Sequence, residues 1–366
     1  MLFQLYGSTA MTQLLGWVLV FAGLVILNEI GRRTKIGGIV LFVIIPAVLT
    51  IYFIAIQAGL FGGHSNQTYE YMNGWFHYAK LYAADIGVVG FLMIKYKWGL
   101  GKKEWFKPWP FIIVAINILI AVASDFESAI RAYQITGDFS GAWWASNEGV
   151  FLYGGWWNIV NGIAGLINIF CMTGWWGIYS SKKKDDMLWP DMTIWFIVAY
   201  DIWNFEYTYC NLPTHTWYCG VALLLAPTFA NALWNKGGWI QNRANTLAIW
   251  CMFAQVFPLF QLSKTFSVLP SVYGGAAAKG YSALDLYDKA IAVYNSGVNT
   301  SNEVIADMGI TANPTAQGVV SILALVANVI CISVIIKRSI EQKKNPYKND
   351  IWVGTRDYEQ AMSRAE

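Results

Sequence analysis

The sequence predicts an all-α, polytopic membrane bundle of about nine transmembrane helices, and three observations carry that prediction. Charged residues make up only 13% of the 366-residue chain and hydrophobic residues 56%, where an average soluble domain carries roughly 25% charge. Apolar runs long enough to cross a bilayer core of roughly 30 Å, which takes about 20 helical residues, recur along the chain. Nineteen tryptophans accompany them, as suits a protein with two membrane–water interfaces. This composition excludes a disordered protein, a nucleic-acid binder with a basic face and an ordinary cytosolic enzyme. Net charge is only +3, so the placement of charge matters more than its total.

The nine stretches lie at approximately 11–29, 37–60, 76–95, 109–125, 155–179, 189–211, 216–235, 244–262 and 316–336. The third carries Lys80 and Asp85 and the sixth carries Asp201 and Glu206, which makes them the least apolar. No run of alternating ten-residue strands is present, so a β-barrel is excluded. The first 30 residues lack a basic n-region and predict no cleaved signal peptide. Lys and Arg concentrate in cytoplasmic loops. With nine spans, twenty of the twenty-five fall on one side, from Arg32 and Arg33 through Lys95, Lys182, Lys236 and Arg243 to the C-terminal segment. That alternation places the N-terminus outside and the C-terminus in the cytoplasm of a multi-pass cell-membrane protein. Residues 1–336 form one bundle, and 337–366 form a polar cytoplasmic tail, partly ordered at most.

Two outer segments are long enough to be structured. In 126–154, Glu127 and Arg131 stand at i,i+4 pairing distance on a helix. In 263–315, the stretch SALDLYDKAIAVYN is amphipathic and reads as a helix on the membrane surface or as a lid over an outer vestibule. The sequons at Asn66 and Asn299 also fall outside.

Polar residues inside spans are costly and face the bundle interior or water. The fifth span carries Asn158, Asn161, Gly165 and Asn168 at i, i+3, i+7, i+10. The sixth repeats the spacing with Asp201, Asn204, Thr208 and Asn211, and the seventh has Thr228, Asn231 and Asn235. At 100° per residue each set covers about 80° of helix surface. Three successive helices therefore carry one narrow polar stripe each. Such asparagines can be interhelical glue, each bond contributing roughly 0.6–2 kcal/mol. Asp201 goes beyond glue. At 1.5 Å per residue it lies roughly 18 Å from the cytoplasmic end, near midplane, where a carboxylate demands a proton or a cation. Asp85 is a second midplane carboxylate, on one face with Tyr78 and Tyr82. Lys80 either snorkels outward or is the counter-charge of Asp201. Asp125 and Glu127 read as solvated groups at an outer helix end. Most tryptophans fall near span ends, whereas Trp203 lies beside Asp201 and Asn204 as an aromatic wall. Pro227 and Pro258 interrupt two spans, as a passive kink or as an opening toward a cavity.

His64, His77 and His215 show no metal-ligand spacing, and no HExxH, GxSxG, Walker A or GxGxxG pattern occurs. The sequence therefore calls for neither an enzyme nor a cofactor. Cys210 and Cys219 flank a short outer loop and are placed either for a disulfide or as free thiols.

The block 151–236, with GGWWNIVNGIAG and MTGWWGIY, resembles the Trp- and Asn-rich helices of PnuC-type vitamin-precursor transporters. The segment TIWFIVAYDIWNFEY is similar to a microbial-rhodopsin helix, yet no lysine occupies the middle of GVALLLAPTFANALW, so no retinal linkage is implied. The whole chain, especially NEIGRRTKIGG and the WPDM…YDIWN segment, resembles an uncharacterised bacterial integral-membrane family, which implies no activity.

These readings combine into a secondary transporter or facilitator of a small polar or cationic solute. The site would lie near midplane, with Asp201 as charge partner or proton acceptor. Asn158, Asn161, Asn204 and Asn231 would supply hydrogen bonds, Asp85 a second carboxylate and Trp203 a stacking surface. The expected partners are a small-molecule or ion substrate and the lipid bilayer, with no nucleic acid; a homo-oligomer is compatible. The alternative is a membrane receptor or assembly subunit whose polar stripes only join helices.

Overall fold

Each of the nine apolar stretches forms a helical rod in the computed structural model, which describes residues 2–5, 7–297 and 302–366. The sequon asparagine Asn299 lies outside the described residues. The rods are α1 (Ala10–Arg33), α2 (Lys35–Gln57), α3 (Trp75–Tyr96), α4 (Trp109–Thr136), α5 (Trp156–Phe170), α6 (Ile194–Asn211), α7 (Trp217–Leu233), α8 (Trp239–Val256) and, after an outer helix α9 (Ala283–Asn295), α10 (Pro314–Gln342). A last short helix, α11 (Arg356–Met362), lies in the tail. The chain is thus predominantly helical. The described strands form two small hairpins, β1 (Ala142–Ala145) with β2 (Phe151–Gly154) and β3 (Tyr179–Ser180) with β4 (Met187–Leu188).

Four rods, α1, α2, α4 and α10, are by length and composition long and apolar enough to cross a membrane, as suits a membrane protein. They present Leu19, Ile51, Ile116 and Leu323 outward, all well exposed, as a lipid-facing surface requires. Helix α8 is the opposite case. Gln241, Asn242, Arg243, Asn245, Thr246 and Gln255 are all buried, on every side of the helix, because α8 is enclosed by α1, α3 and α7. A helix wrapped by protein has no need of an apolar exterior.

Lipid removes the hydrophobic drive for helices to associate, so packing and interhelical hydrogen bonds hold them. Asn168 of α5 donates to Asn328 of α10 at 2.7 Å, and Asn328 donates to the Ala199 carbonyl of α6 at 3.2 Å. This asparagine is glue. Gly165 allows the close approach of α5 to α6: a Cβ there would stand 2.6 Å from the Trp203 indole nitrogen.

Several expectations need correction. Helix α5 ends at Phe170, short of residue 179, because the chain turns into the β3–β4 hairpin. Helix α8 begins at Trp239, so Arg243 sits inside the bundle and not in a cytoplasmic loop. The tail after residue 337 is docked: Ile351, Trp352, Tyr358 and Ala361 are buried. Helix α9 is packed against the rest of the chain. Its capping box, Ser282 with Asp285, starts a helix whose Leu286 and Ala290 pack with Trp143, Phe151 and Tyr273, forming a cap over one end of the bundle. The Glu127–Arg131 pair is present at 3.6 Å. All five cysteines are free. Cys210 lies beside Gln317 of α10 whereas Cys219 faces a central cavity, so the two thiols point apart.

Candidate functional site

The polar stripes do not converge on one place; they divide among three. The first is a closed knot around Asp125 of α4. Asn161 donates to its carboxylate at 2.8 Å, Asn158 at 3.3 Å and Asn211 at 2.5 Å, while Ser128 donates to Asn211 at 2.7 Å. Asp125 is fully buried, not solvated as its place near a predicted helix end suggested. Asn158 and Asn161 therefore serve this carboxylate and line no cavity with Asp201. The helix continues eleven residues past Asp125 to Thr136, which is why the position is interior.

The second is ten residues back along α6 from Asn211, near the middle of the helix. Asp201 accepts a hydrogen bond from Thr228 at 2.6 Å, and Thr228 accepts one from the Trp239 indole at 2.9 Å. Lys80 is not its counter-charge: the ammonium is directed at the Asn117 carbonyl instead. Asn231 is buried one turn further along α7, and Asp85 is buried on α3 with neither carboxylate oxygen on a protein partner.

The third is a cavity of about 120 Å³ between α3, α4, α6, α7 and α8, enough for several waters or one small solute. Of the predicted site residues only Asn204 and Trp203 line it. Phe76, Tyr200, Tyr207 and Trp250 complete an aromatic wall. Two cations project into it. Arg243 donates to Asn204 at 3.4 Å and lies 5.8 Å from the Tyr200 ring, while its Nε and Nη1 find no protein acceptor. The Lys80 ammonium is 3.4 Å from the Asn117 carbonyl and sits over the rings of Phe76 and Tyr207 at 5.5 and 5.7 Å. It turns inward and does not snorkel. Among the described residues no carboxylate lines the cavity. At the rim, His77 meets Glu148 of the β1–β2 turn at 2.9 Å.

This cavity is one of a series with shared walls. Phe76, Tyr207 and Leu212 also border an outer pocket of about 90 Å³. That pocket shares Trp75, Glu127, Trp144 and Asn147 with an open crevice of about 670 Å³ at the capped end. On the other side Asn117, Tyr200, Arg243 and Leu247 border a small apolar pocket of about 40 Å³ that reaches Phe91, Ile113 and Ile240. Arg243 thus stands between the central cavity and this inner pocket.

Beyond that pocket the bundle is sealed by a polar plate. Asp186, fully buried, accepts from Arg32 at 3.1 Å, Gln241 at 3.1 Å and Asn235 at 3.3 Å, and pairs with Arg364 of the tail. Lys95 donates to the Arg32 carbonyl at 2.7 Å. The last residue, Glu366, pairs with Lys97 at 2.7 Å and with Lys184. These two ammonium groups hold its carboxyl down at about 2. Arg32, Lys95, Lys184, Lys236 and Arg364, separate in sequence, meet at this one end.

Arg243 was the residue sequence reasoning missed, since its position near a predicted span boundary reads as an anchoring charge. Its neighbours Gln241, Asn242 and Asn245 were the available signal: with them, the polar run QNRAN opens a helix that no lipid-facing rod could tolerate.

The chain belongs to the Family of unknown function (DUF5692), whose model matches residues 7–364. The match includes both the cavity-forming rods and almost all of the docked tail. No curated protein and no solved structure matches the chain. The likeness of 151–236 to PnuC-type transporters finds no support in these comparisons.

Proposed function

We propose that the protein crosses the membrane nine times, with its N-terminus outside and C-terminus in the cytoplasm, and that it is a secondary transporter or facilitator of a small polar solute. The observation that carries this reading is the series of cavities with shared walls, running from the outer crevice past Phe76 and Tyr207 to Arg243. A route lined by aromatic rings and a few convergent polar groups is the usual form of a small-molecule site. Basic residues gathered at the sealed end favour that end as the cytoplasmic one. In this arrangement the solute enters from outside, stops at Arg243 and waits on movement of the inner plate, which is how alternating access works around a central site. The lining supports the polar part of the sequence expectation; at the central cavity, with Lys80 and Arg243 in the wall and the carboxylates Glu127 and Glu148 confined to the outer pocket, it gives the cationic part no support.

The test is solute flux into liposomes carrying the purified protein. Tyr207→Trp narrows the passage between the outer and central cavities and is expected to slow uptake at least about tenfold, because a solute-sized route has little spare width. Uptake equal to that of wild type would remove the route, and protein-free rates for a broad set of metabolites would remove the transport reading.

A further inference from the structure

We infer that the central cavity is a site for a small organic anion, its charged group held between Arg243 and Lys80 and its flat apolar body against the aromatic wall. This rests on the solute-route reading above and names its substrate class.

The argument starts from the cost of a buried cation. A guanidinium removed from water needs acceptors, and leaving one unpaired in a protein interior is strongly unfavourable. Arg243 is almost completely buried, with one long hydrogen bond to Asn204 and two nitrogens on no protein acceptor. Lys80 has a single long contact with a carbonyl and two ring faces. Two acceptor-poor cations therefore face one cavity. A planar guanidinium matches a carboxylate or similar oxyanion better than any neutral group. The remaining wall, Phe76, Trp203, Tyr207 and Trp250, offers flat apolar surface and few hydrogen-bonding groups, so a bare inorganic ion would leave most of it unused.

The counter-argument comes from carboxylates behind the wall. Asp201 is within electrostatic reach of Arg243, and Asp85 within reach of Cys251. Neither lines the cavity, and Asp201 is already engaged by Thr228. Charges that face a low-dielectric space outweigh those set behind a layer of side chains. The sign of the potential inside the cavity is thus the quantity to measure.

Two cysteines line the cavity, Cys219 and Cys251, and the other three are buried elsewhere. In full-length protein carrying Cys219→Ser, Cys251 becomes a single reporter thiol in the cavity, with its modification located by mass spectrometry. Three methanethiosulfonates are compared: the neutral methyl, the anionic sulfonatoethyl and the cationic trimethylammonioethyl reagent. The anionic reagent is expected to react at least about tenfold faster than the cationic one, each normalised to its rate with a small free thiol, since a focused positive potential concentrates anions. Arg243→Gln is expected to reduce that ratio at least about tenfold and Arg243→Lys to retain it. Should Arg243→Gln fail to fold, Lys80→Gln provides the same comparison. Millimolar benzoate is expected to slow modification, and benzylammonium to leave it unchanged.

A faster cationic reagent, protection by benzylammonium, or failure of benzoate to protect overturns the anion assignment while leaving the route intact. Failure of even the neutral reagent to reach Cys251 removes the route itself, and the assignment with it.

Discussion

Asp125 and Arg243 are both ionisable and both buried inside the bundle, yet their surroundings are built differently. Three asparagine amides point at the carboxylate of Asp125, so that carboxylate has its acceptor capacity filled from within the protein. Arg243 has one distant asparagine oxygen and an aromatic ring. A saturated buried charge joins helices; an unsaturated one beside open volume has its partner elsewhere. The plate around Asp186 belongs with the first kind, since two guanidinium groups and two amides converge on that carboxylate.

This contrast predicts opposite signs for the stability of mutants. The largest loss is expected for Asp186→Ala, which leaves Arg32 and Arg364 facing each other without a counter-charge. Breaking one side of a buried ion pair costs about 3–5 kcal/mol, to be read from thermal unfolding in detergent. The tail should also become sensitive to limited proteolysis. Asp125→Ala strands three buried amides at about 1–3 kcal/mol for an orphaned donor, and a loss of about 2–4 kcal/mol is expected after partial relaxation. A mutant within 0.5 kcal/mol of wild type, roughly the noise of a surface substitution, would refute the closed knot. Arg243→Gln reverses the sign: it removes an under-satisfied charge, so stability is expected to stay level or rise by up to about 2 kcal/mol. A loss comparable to that of Asp125→Ala would erase the distinction between the two regions.

Smaller effects sharpen the picture. Asp201→Asn retains an oxygen that accepts from Thr228 and is expected to change stability by less than about 1 kcal/mol. Because Asp201 stands behind the wall, it should alter benzoate protection of Cys251 less than Arg243→Gln does. The smallest effect concerns Glu366. Its carboxyl, held at about 2 by Lys184 and Lys97 against a usual value of 4.5, contributes to tail docking fully above pH 4.5. That contribution is lost as pH falls through about 2. The tail is therefore expected to remain protected from an acid protease at pH 4 and to loosen toward pH 2. Molar salt should weaken this exposed pair wherever the carboxyl is ionised.

Much of the fold was legible because membrane helices must satisfy their backbone internally and keep an apolar surface toward lipid. α1, α2, α4 and α10 follow that rule in a single dimension, and their sequences announce them. The stripes on α5, α6 and α7 were equally visible, because 100° per residue maps spacing onto one face. Their destination was not. Asn158 and Asn161 could have met Asp201 or Asp125, and the choice depends on how α4 and α6 lie beside α5. Asp125 looked solvated only because the apolar run stops there, although the helix continues to Thr136.

What the sequence by itself determined is the class of molecule, the nine helical segments and the polar stripes of α5, α6 and α7, since each follows from local hydropathy and helical period. Tertiary structure alone decided which inward group is saturated and which is open. It enclosed α8, so that Arg243 became an interior charge. It turned Lys80 between Phe76 and Tyr207, and it folded the tail back to bring Arg364 to Asp186 across 178 positions of chain. Hydropathy is a property of neighbours in sequence, whereas pairing of a buried charge depends on distances of a few ångströms between helices far apart in the chain.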